Sequence, residues 1–432
     1  MRVLFFVTDR YPYDNSETFI ENEINIISEA FNRIYIIPSG LTANTSIFRN
    51  VPDNVIVFPP ANTDDLYAKG HVTKLQRITW SLKHMVPWIM RSFFTKTFIM
   101  EISSLAEKKE LSIRKIISIV RTIAPDIRNV EHFTSYSNLI EVDPCDEVYV
   151  YSYWLTSAVM LPEALINNKN VNIKRIVARA HGYDLYEHRR NHNYIPLKKQ
   201  IIEYVDNVSL ISNAGKDYLS NQFPQYRSKF DVNYLGTKDY GVQKNASRNV
   251  FRIVSCASVI PLKRITRIVD ALKIISDLNI EWVHFGAGDG LEKLKSYAEM
   301  KLSNMPNINY EFKGHIDNRG LMNIYKNDSF DVFINVSESE GLPVSIMEAI
   351  SFGIPAIATD VGGTSEAVKE NLTGVLLKKD FSDAELCQAI RYFASLTSDE
   401  RENIRQKTRH YWQEHFSADN NYKVFIEQYF YK

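Results

Sequence analysis

Two glutamates eight positions apart, Glu340 and Glu348, flank Gly341-Leu342-Pro343 in the stretch SESEGLPVSIMEAISFGIPAIATDVGG, residues 337–363. Two carboxylates suggest an acid and base pair. The residues between them argue for another use. Pro343 suits the first turn of a helix, where its missing N–H is not needed, and Gly341 allows a sharp turn and close approach to a ligand. The amides of such a helix start form a site for phosphate. In a continuous helix, eight residues span about 12 Å at about 1.5 Å per residue, close to the reach of an extended nucleoside-diphosphate sugar. Glu340 would then meet the sugar, the amides near Gly341 and Leu342 the diphosphate, and Glu348 the ribose hydroxyls. Taken singly, Glu340 is equally an acidic residue favoured near a helix N-terminus, and Glu348 a solvated helix position.

The elements that must hold these groups follow from the apolar pattern. DVFINVS reads as a strand, SESEGLP as a tight turn and VSIMEAISFG as a helix. The chain opens in the same alternation: RVLFFVT, a polar turn, TFIENEINIISEAF with helical spacing, then RIYIIPS. It resumes with DEVYVYSYW, RIVARAHG and VDNVSLISN, and again with FRIVSCASV, EWVHFGAGDG and IPAIATD. Strand and helix in turn predict two consecutive α/β domains with parallel sheets, Rossmann-like, over 1–240 and 250–410. A ligand cleft is expected between them, at the carboxyl ends of the strands. The polar stretch GTKDYGVQKNASRN, 236–249, reads as the linker.

Composition removes other classes. With 51 basic and 51 acidic residues, the chain lacks the surplus of cations that a general nucleic-acid binder needs. Cys145, Cys256 and Cys387 form no C-x-x-C pair, which argues against a disulfide framework and for a reducing cytoplasm. The start, MRVLFFVTDRYPYD, reads as a first core strand and not as a signal peptide. One segment breaks the alternation: residues 66–100 contain six Lys or Arg and no Asp or Glu, interleaved with Trp80, Trp88, Phe93 and Phe94. It reads as part of a helical insertion over about 62–135, resting either on an anionic membrane face or, through its aromatics, on the first domain.

The whole stretch SESEGLPVSIMEAISFGIPAIATDVGGTSEAV resembles the donor-site signature of the family 4 retaining glycosyltransferases of the GT-B fold. SVIPLKRITRIVDAL, HFGAGDG, FKGHIDNRGLMNIY, YSYW and RAHGYDLYE extend the likeness to members that build bacterial surface polysaccharides, O-antigen, capsule and exopolysaccharide among them. The resemblance implies roles for residues on each side of the reaction. Lys263 would neutralise the donor diphosphate, with Arg264 as substitute for a second basic residue that the family often has where this chain has Ser258. Gly286, Ala287 and Gly288 would approach the nucleotide. Lys313 to Ile316, with His315 and Ile316, would line the base pocket; Thr364 and Glu366, which follow the paired glycines, read by position only as caps of the next helix. His181 would face the reacting sugar, with Asp184 orienting it or binding acceptor. In the first loop Ser16, Glu17 and Thr18 replace a glycine-rich form, so that Glu17 and Thr18 are acceptor-side candidates. Residues 411–432 would be a last helix crossing back to the first domain, and deletion of 416–432 would damage stability or domain closure and not donor chemistry.

The implied reaction moves a hexosyl group from a nucleotide sugar, UDP- or GDP-linked, to a glycan or polyprenyl-linked glycan with retention of configuration. The chain has no Asp-x-Asp, so no metal and no cofactor are expected. The site is expected on the cytoplasmic side, peripheral to the inner membrane face. Two rivals share the pattern: a sugar-nucleotide epimerase of the same fold, and a non-catalytic nucleotide-sugar-binding partner of a polysaccharide assembly complex. A phosphorylase of this fold would carry a pyridoxal-phosphate lysine site, which the sequence does not display.

Overall fold

In the computed structural model, which describes residues 1–13, 17–40, 46, 49–61, 85–244 and 249–431, the apolar runs become parallel strands in two separate sheets. The chain divides into two units: Met1–Ile211 with Lys216–Asn233 and Tyr422–Lys432, and Ser212–Gly215 with Tyr234–Asn421. Ser16, Trp80 and the remainder of 66–84 lie outside the described residues.

The first unit holds β1 (Arg2–Thr8), β2 (Arg33–Pro38), β3 (Val55–Val57), β4 (Glu147–Ser152), β5 (Ile173–Ala180), β6 (Asn207–Leu210) and β7 (Phe230–Val232), ordered β3-β2-β1-β4-β5-β6-β7. Strand alternation divides β1 between two cores: Val3, Phe5 and Val7 on one face, Leu4 and Phe6 on the other. Both faces must be covered, because a parallel sheet buries both. Helices Lys96–Glu107 and Ile113–Thr134 cover the first with Leu105, Ile119, Ile123 and Phe133. The terminal helix Ala418–Phe430 covers the second with Phe425, Ile426, Tyr429 and Phe430. From residue 96 onward the expected insertion is thus one layer of this unit.

A fully buried ion pair sits under the terminal helix. Arg179 Nη1 donates to Glu23 Oε2 at 2.6 Å, both side chains are inaccessible, and the Phe425 ring lies 4.4 Å from the guanidinium. Such a pair needs a complete cover, since water-free burial of either charge alone is strongly unfavourable.

The second unit holds β8 (Phe251–Cys256), β9 (Ile280–Phe285), β10 (Ile308–Gly314), β11 (Val332–Asn335), β12 (Ala356–Thr359) and β13 (Gly374–Leu377), ordered β10-β9-β8-β11-β12-β13. This is the doubly wound order, whose direction reverses between β8 and β11. In the first sheet the reversal lies between β1 and β4. Loops leaving these strands are where ligands of such sheets bind.

The expected linker behaves otherwise. Thr237 N donates to Phe416 O at 2.9 Å and Ala418 N to Thr237 O at 3.1 Å. A Cβ on Gly236 would come within 2.3 Å of Ala418 Cα. Gln243 then bonds both the amide and the carbonyl of Phe330. Residues 236–244 are stitched to the second unit because their polar groups find backbone partners there; residues 245–248 lie outside the described residues.

Candidate active site

The loops after β8 and β11 meet at an ion pair. Lys263 Nζ donates to Glu340 Oε1 at 2.7 Å, with Glu340 buried and Lys263 half-buried. Asn335, the last residue of β11, donates its Nδ2 to the same oxygen at 3.2 Å, while its Oδ1 accepts from Ser337 N at 3.0 Å. Burial pushes the Glu340 carboxyl up, but the Lys263 charge and bond, helped by Ser337 and Asn335, outweigh it, and the group is held below the ordinary carboxylate range. Glu340 is therefore an anion at neutral pH. A Lys ammonium has three N–H donors and the Glu340 bond uses one, so Lys263 is suited to bridge this carboxylate and a second anion.

The turn that carries Glu340 is clamped from β12. Gly362 (φ +58°) has Glu340 O where a Cβ would stand, 1.9 Å away, and Gly363 N donates to Gly341 O at 2.7 Å. The paired glycines are there for this close approach. Leu342 and Pro343 are buried, and the helix Val344–Ser351 starts after Pro343, which is extended (φ −76°, ψ 100°). The helix does not reach back to Glu340, so the spacing of a continuous helix does not describe this pair; Pro343 is the cap and not a first-turn residue.

Glu348 lies inside that helix. Asn318 Nδ2 donates to its Oε1 at 2.6 Å from the start of the helix Asn318–Asn327, which follows β10. Burial raises the Glu348 carboxyl to about 7, the Asn318 bond drawing it partly back. Neighbouring Cys256 remains a thiol, pushed up to about 12 by burial and by the Glu348 charge. Between β10 and Asn318, His315 is exposed and Ile316 half-buried, after Gly314 at φ +69°.

Other predicted donor residues have different work. Arg264 donates Nε to Val336 O at 2.8 Å, Nη2 to Ser337 O at 3.2 Å and Nη1 to Lys379 O at 2.9 Å. Its guanidinium braces the β11 loop and the Lys379 carbonyl with three of its five N–H groups. Gly286 and Gly288 (φ +143° and +150°) approach the protein's own chain, with Ala257 O and Val259 O where their Cβ atoms would stand, at 1.9 and 2.8 Å. Glu366 accepts from Asn213 N (2.8 Å), Ala214 N (3.1 Å) and Tyr234 Oη (2.8 Å), so it fixes a different segment from the one expected. Thr364 bonds Val361 O at 2.8 Å.

In the first unit His181 follows β5, buried, its ring 4.7 Å from that of Tyr153 and 4.6 Å from that of Trp154. Neither ring nitrogen makes a well-formed hydrogen bond to a described residue. Burial, with the Arg179 charge, holds the imidazole neutral, well below its ordinary value. Asp184 binds backbone on both oxygens: His181 N to Oδ1 at 2.6 Å and Leu155 N to Oδ2 at 2.7 Å. It is 3% exposed, so it positions the His181 main chain and has no oxygen turned to acceptor. Glu17 is also misread as an acceptor ligand. Its carboxylate accepts from Asp9 N, Arg10 N, Tyr11 N and Trp154 Nε1 at 2.7–2.9 Å, which satisfies both oxygens inside the fold. Thr18 beside it is exposed.

Sequence reasoning missed Asn335, Asn318 and Trp154. Each lies in a quoted stretch, DVFINVS, FKGHIDNRGLMNIY and YSYW, but the last two act through partners 30 and 137 residues away.

Comparison with known proteins agrees with this architecture. Residues 240–411 match the family described as glycosyl transferases group 1. The chain is 25% identical over 234 residues to the GtfA subunit of a UDP-N-acetylglucosamine–peptide N-acetylglucosaminyltransferase from Streptococcus agalactiae, covering 51% of this chain and 44% of that one. It is 34% identical over 122 residues to the O-antigen biosynthesis glycosyltransferase WbnH from Escherichia coli, covering 28% and 30%. The alignments thus span less than half the length of these relatives. The solved structure of the lipopolysaccharide outer core galactosyltransferase WaaB superposes with a TM-score of 0.61 at 14% identity, covering 99% of both chains. That of Anabaena HepE with UDP gives 0.59 at 13% identity, again over 99% of both. The chain has the two-sheet GT-B fold, and the likeness to the glycosyl transferases group 1 lies in its residues 240–411.

Proposed function

We propose that the protein is a retaining glycosyltransferase that moves a hexosyl group from a nucleotide sugar to a glycan or polyprenyl-linked glycan in bacterial surface polysaccharide synthesis. The observation that carries this reading is the Lys263–Glu340 pair between the β8 and β11 loops, with Glu348 inside the helix that follows. Lys263 and the first amides of Val344–Ser351 stabilise the leaving diphosphate as its charge develops, without a metal ion. Glu340, anionic and with one oxygen held by Lys263 and Asn335, accepts hydrogen bonds from sugar hydroxyls through the other. Glu348 takes the ribose hydroxyls. UDP is the nucleotide to try first, since HepE, of the same fold, was solved with UDP.

The bond from C1 to the diphosphate oxygen breaks as the acceptor oxygen attacks C1 from the same face. The acceptor proton passes to the departing phosphate oxygen, so no covalent enzyme intermediate forms. Neutral His181 serves as a hydrogen-bonding group to the reacting sugar and not as a base. The acceptor is placed at the inner membrane face by its lipid.

A thermal-shift panel of UDP-, GDP- and ADP-sugars, followed by product analysis with a lipid-linked glycan acceptor, tests the proposal. A donor-specific shift with an α-configured product from an α-donor is expected. Inverted product, a glycosyl adduct on Glu340, or conversion of the sugar nucleotide without acceptor would each overturn it; donor binding without transfer would favour the non-catalytic partner.

A further inference from the structure

Nine of the eighteen exposed large apolar side chains among the described residues fall between Val86 and Ile117, all in the first unit. Elsewhere such residues are scattered singly, which is ordinary for a protein surface. Here they occupy three consecutive helical segments: 85–92 with Met90 (55% exposed), Lys96–Glu107 with Ile99 (56%), and the start of Ile113–Thr134 with Ile113 (76%); Phe94 (81%) stands between the first two. The latter two helices already bury an apolar face, through Leu105 on one and Ile119 and Ile123 on the other. The exposed apolar residues are thus a second, outward set that the core does not use.

The charge around them is mostly positive. Residues 85–121 contain seven Lys or Arg against three Asp or Glu, in a chain whose total is balanced. Of the three acids, Glu101 is buried and bonded to Tyr194 Oη, Glu110 is paired with Lys115 at 2.7 Å, and Glu107 is exposed. Lys96, Lys108, Lys109, Arg114 and Arg121 are exposed and make no ion pair among the described residues. Exposed apolar side chains interleaved along the helices with unpaired cations match a surface that is hydrocarbon below and anionic above, which is a bilayer of acidic phospholipid. A protein partner would need acidic groups around an apolar centre.

We propose that the outward faces of Lys96–Glu107 and of Ile113–Arg121, with Phe94 between the segments, form a docking surface for an anionic lipid bilayer. The sequence placed such a surface at 66–100, of which 66–84 lie outside the described residues; among the described residues five exposed cations follow Thr95. The inference deepens the proposed reaction, since a polyprenyl-linked acceptor would be met at that surface, yet its test is independent of donor chemistry.

The full chain is sedimented with vesicles of phosphatidylcholine alone or with phosphatidylglycerol added, at low and high salt. Binding to the anionic vesicles, lost on salt screening, is expected. The pair Phe94→Ser and Ile113→Ser and the pair Lys108→Glu and Lys109→Glu should each weaken it about tenfold or more. All four residues are exposed, so unchanged melting checks the fold. Equal partition onto neutral vesicles, wild-type partition by both variants, or self-association in solution abolished by the same variants would overturn the proposal, the last by showing a protein interface. Nucleotide-induced thermal shift is read on the same samples. Lost sedimentation with a retained shift removes only the docking surface, and retained sedimentation with no shift removes only the donor reading.

Discussion

Lys263 and Glu340, 77 residues apart, are joined by a 2.7 Å hydrogen bond between the loops that leave β8 and β11. The contact makes each group's function conditional on the other. Glu340 is ionised because Lys263 is there, and Lys263 is aimed because Glu340, itself held by Asn335, fixes its ammonium. Lys263→Ala should leave a buried carboxylate without its counter-charge, so that the Glu340 carboxyl rises, stability falls by about 1–3 kcal/mol and UDP binding weakens by about tenfold or more. Glu340→Gln keeps the shape and releases Lys263: nucleotide affinity should hold or improve while turnover drops by about a hundredfold or more. Calorimetry with UDP beside initial transfer rates separates the two, and wild-type turnover by Glu340→Gln would remove Glu340 from the reaction.

Glu348 should give the site a pH signature. Its carboxyl titrates near 7, and a ribose needs the anion as acceptor, so UDP affinity should rise as pH is raised through 7. Glu348→Gln should flatten that profile. Asn318→Ala removes the bond that draws the carboxyl down and should move the midpoint upward without abolishing binding. A pH-independent wild type would show that Glu348 does not meet the nucleotide.

The same group links to folding. A carboxyl raised in the folded state binds its proton more tightly than in the unfolded chain, so its contribution is present below the ordinary carboxylate value, about 4.3, and is lost as pH rises through 7. Asp184, also raised to about 7 by burial, acts in the same direction. Glu348→Gln should therefore stabilise the protein by about 1–2 kcal/mol at pH 8 and by nearly nothing at pH 4. Urea melts at the two pH values measure the difference, and equal effects at both would contradict the assignment.

Much of the site was legible because its chemistry is local. The glycines at 362 and 363, the strand that ends in Asn335 and the proline before Val344 all announce a turn built to present Glu340. Glu17 was not legible: it sits in a left-handed conformation (φ +55°), where a glycine would have been the clue, and its fourth donor, Trp154, is 137 residues away. Arg264 misled for a related reason. A cation next to a phosphate lysine invites a phosphate role, while the carbonyls it holds belong to a loop more than 70 residues further on. The strand order itself followed from alternation alone, because parallel sheets covered on both faces leave an unbroken apolar run in each strand.

Glu17→Ala tests whether that carboxylate is scaffold. The variant leaves three backbone amides, from Asp9 to Tyr11, and the Trp154 indole without an acceptor. A stability loss of about 2–4 kcal/mol is expected from buried donors left unpaired, with the Michaelis constant for acceptor little changed in the folded fraction. A variant that melts like wild type but binds acceptor poorly would return Glu17 to the acceptor site.

Phe425→Ala tests the terminal helix without deleting it. Phe425 is fully buried, belongs to the core that holds Leu4 and Phe6, and lies over the Arg179 guanidinium at 4.4 Å. Truncating it opens a cavity beside a buried ion pair, and large-to-small changes of this kind cost about 3–5 kcal/mol, a large part of the roughly 5–15 kcal/mol that holds a typical domain. Its partners are in the first unit, whereas Lys263, Glu340 and Glu348 are in the second. The expected result is a melting temperature lowered by several degrees with UDP affinity unchanged. The combination of wild-type melting with weakened UDP binding would mean that the helix serves the nucleotide and not the core.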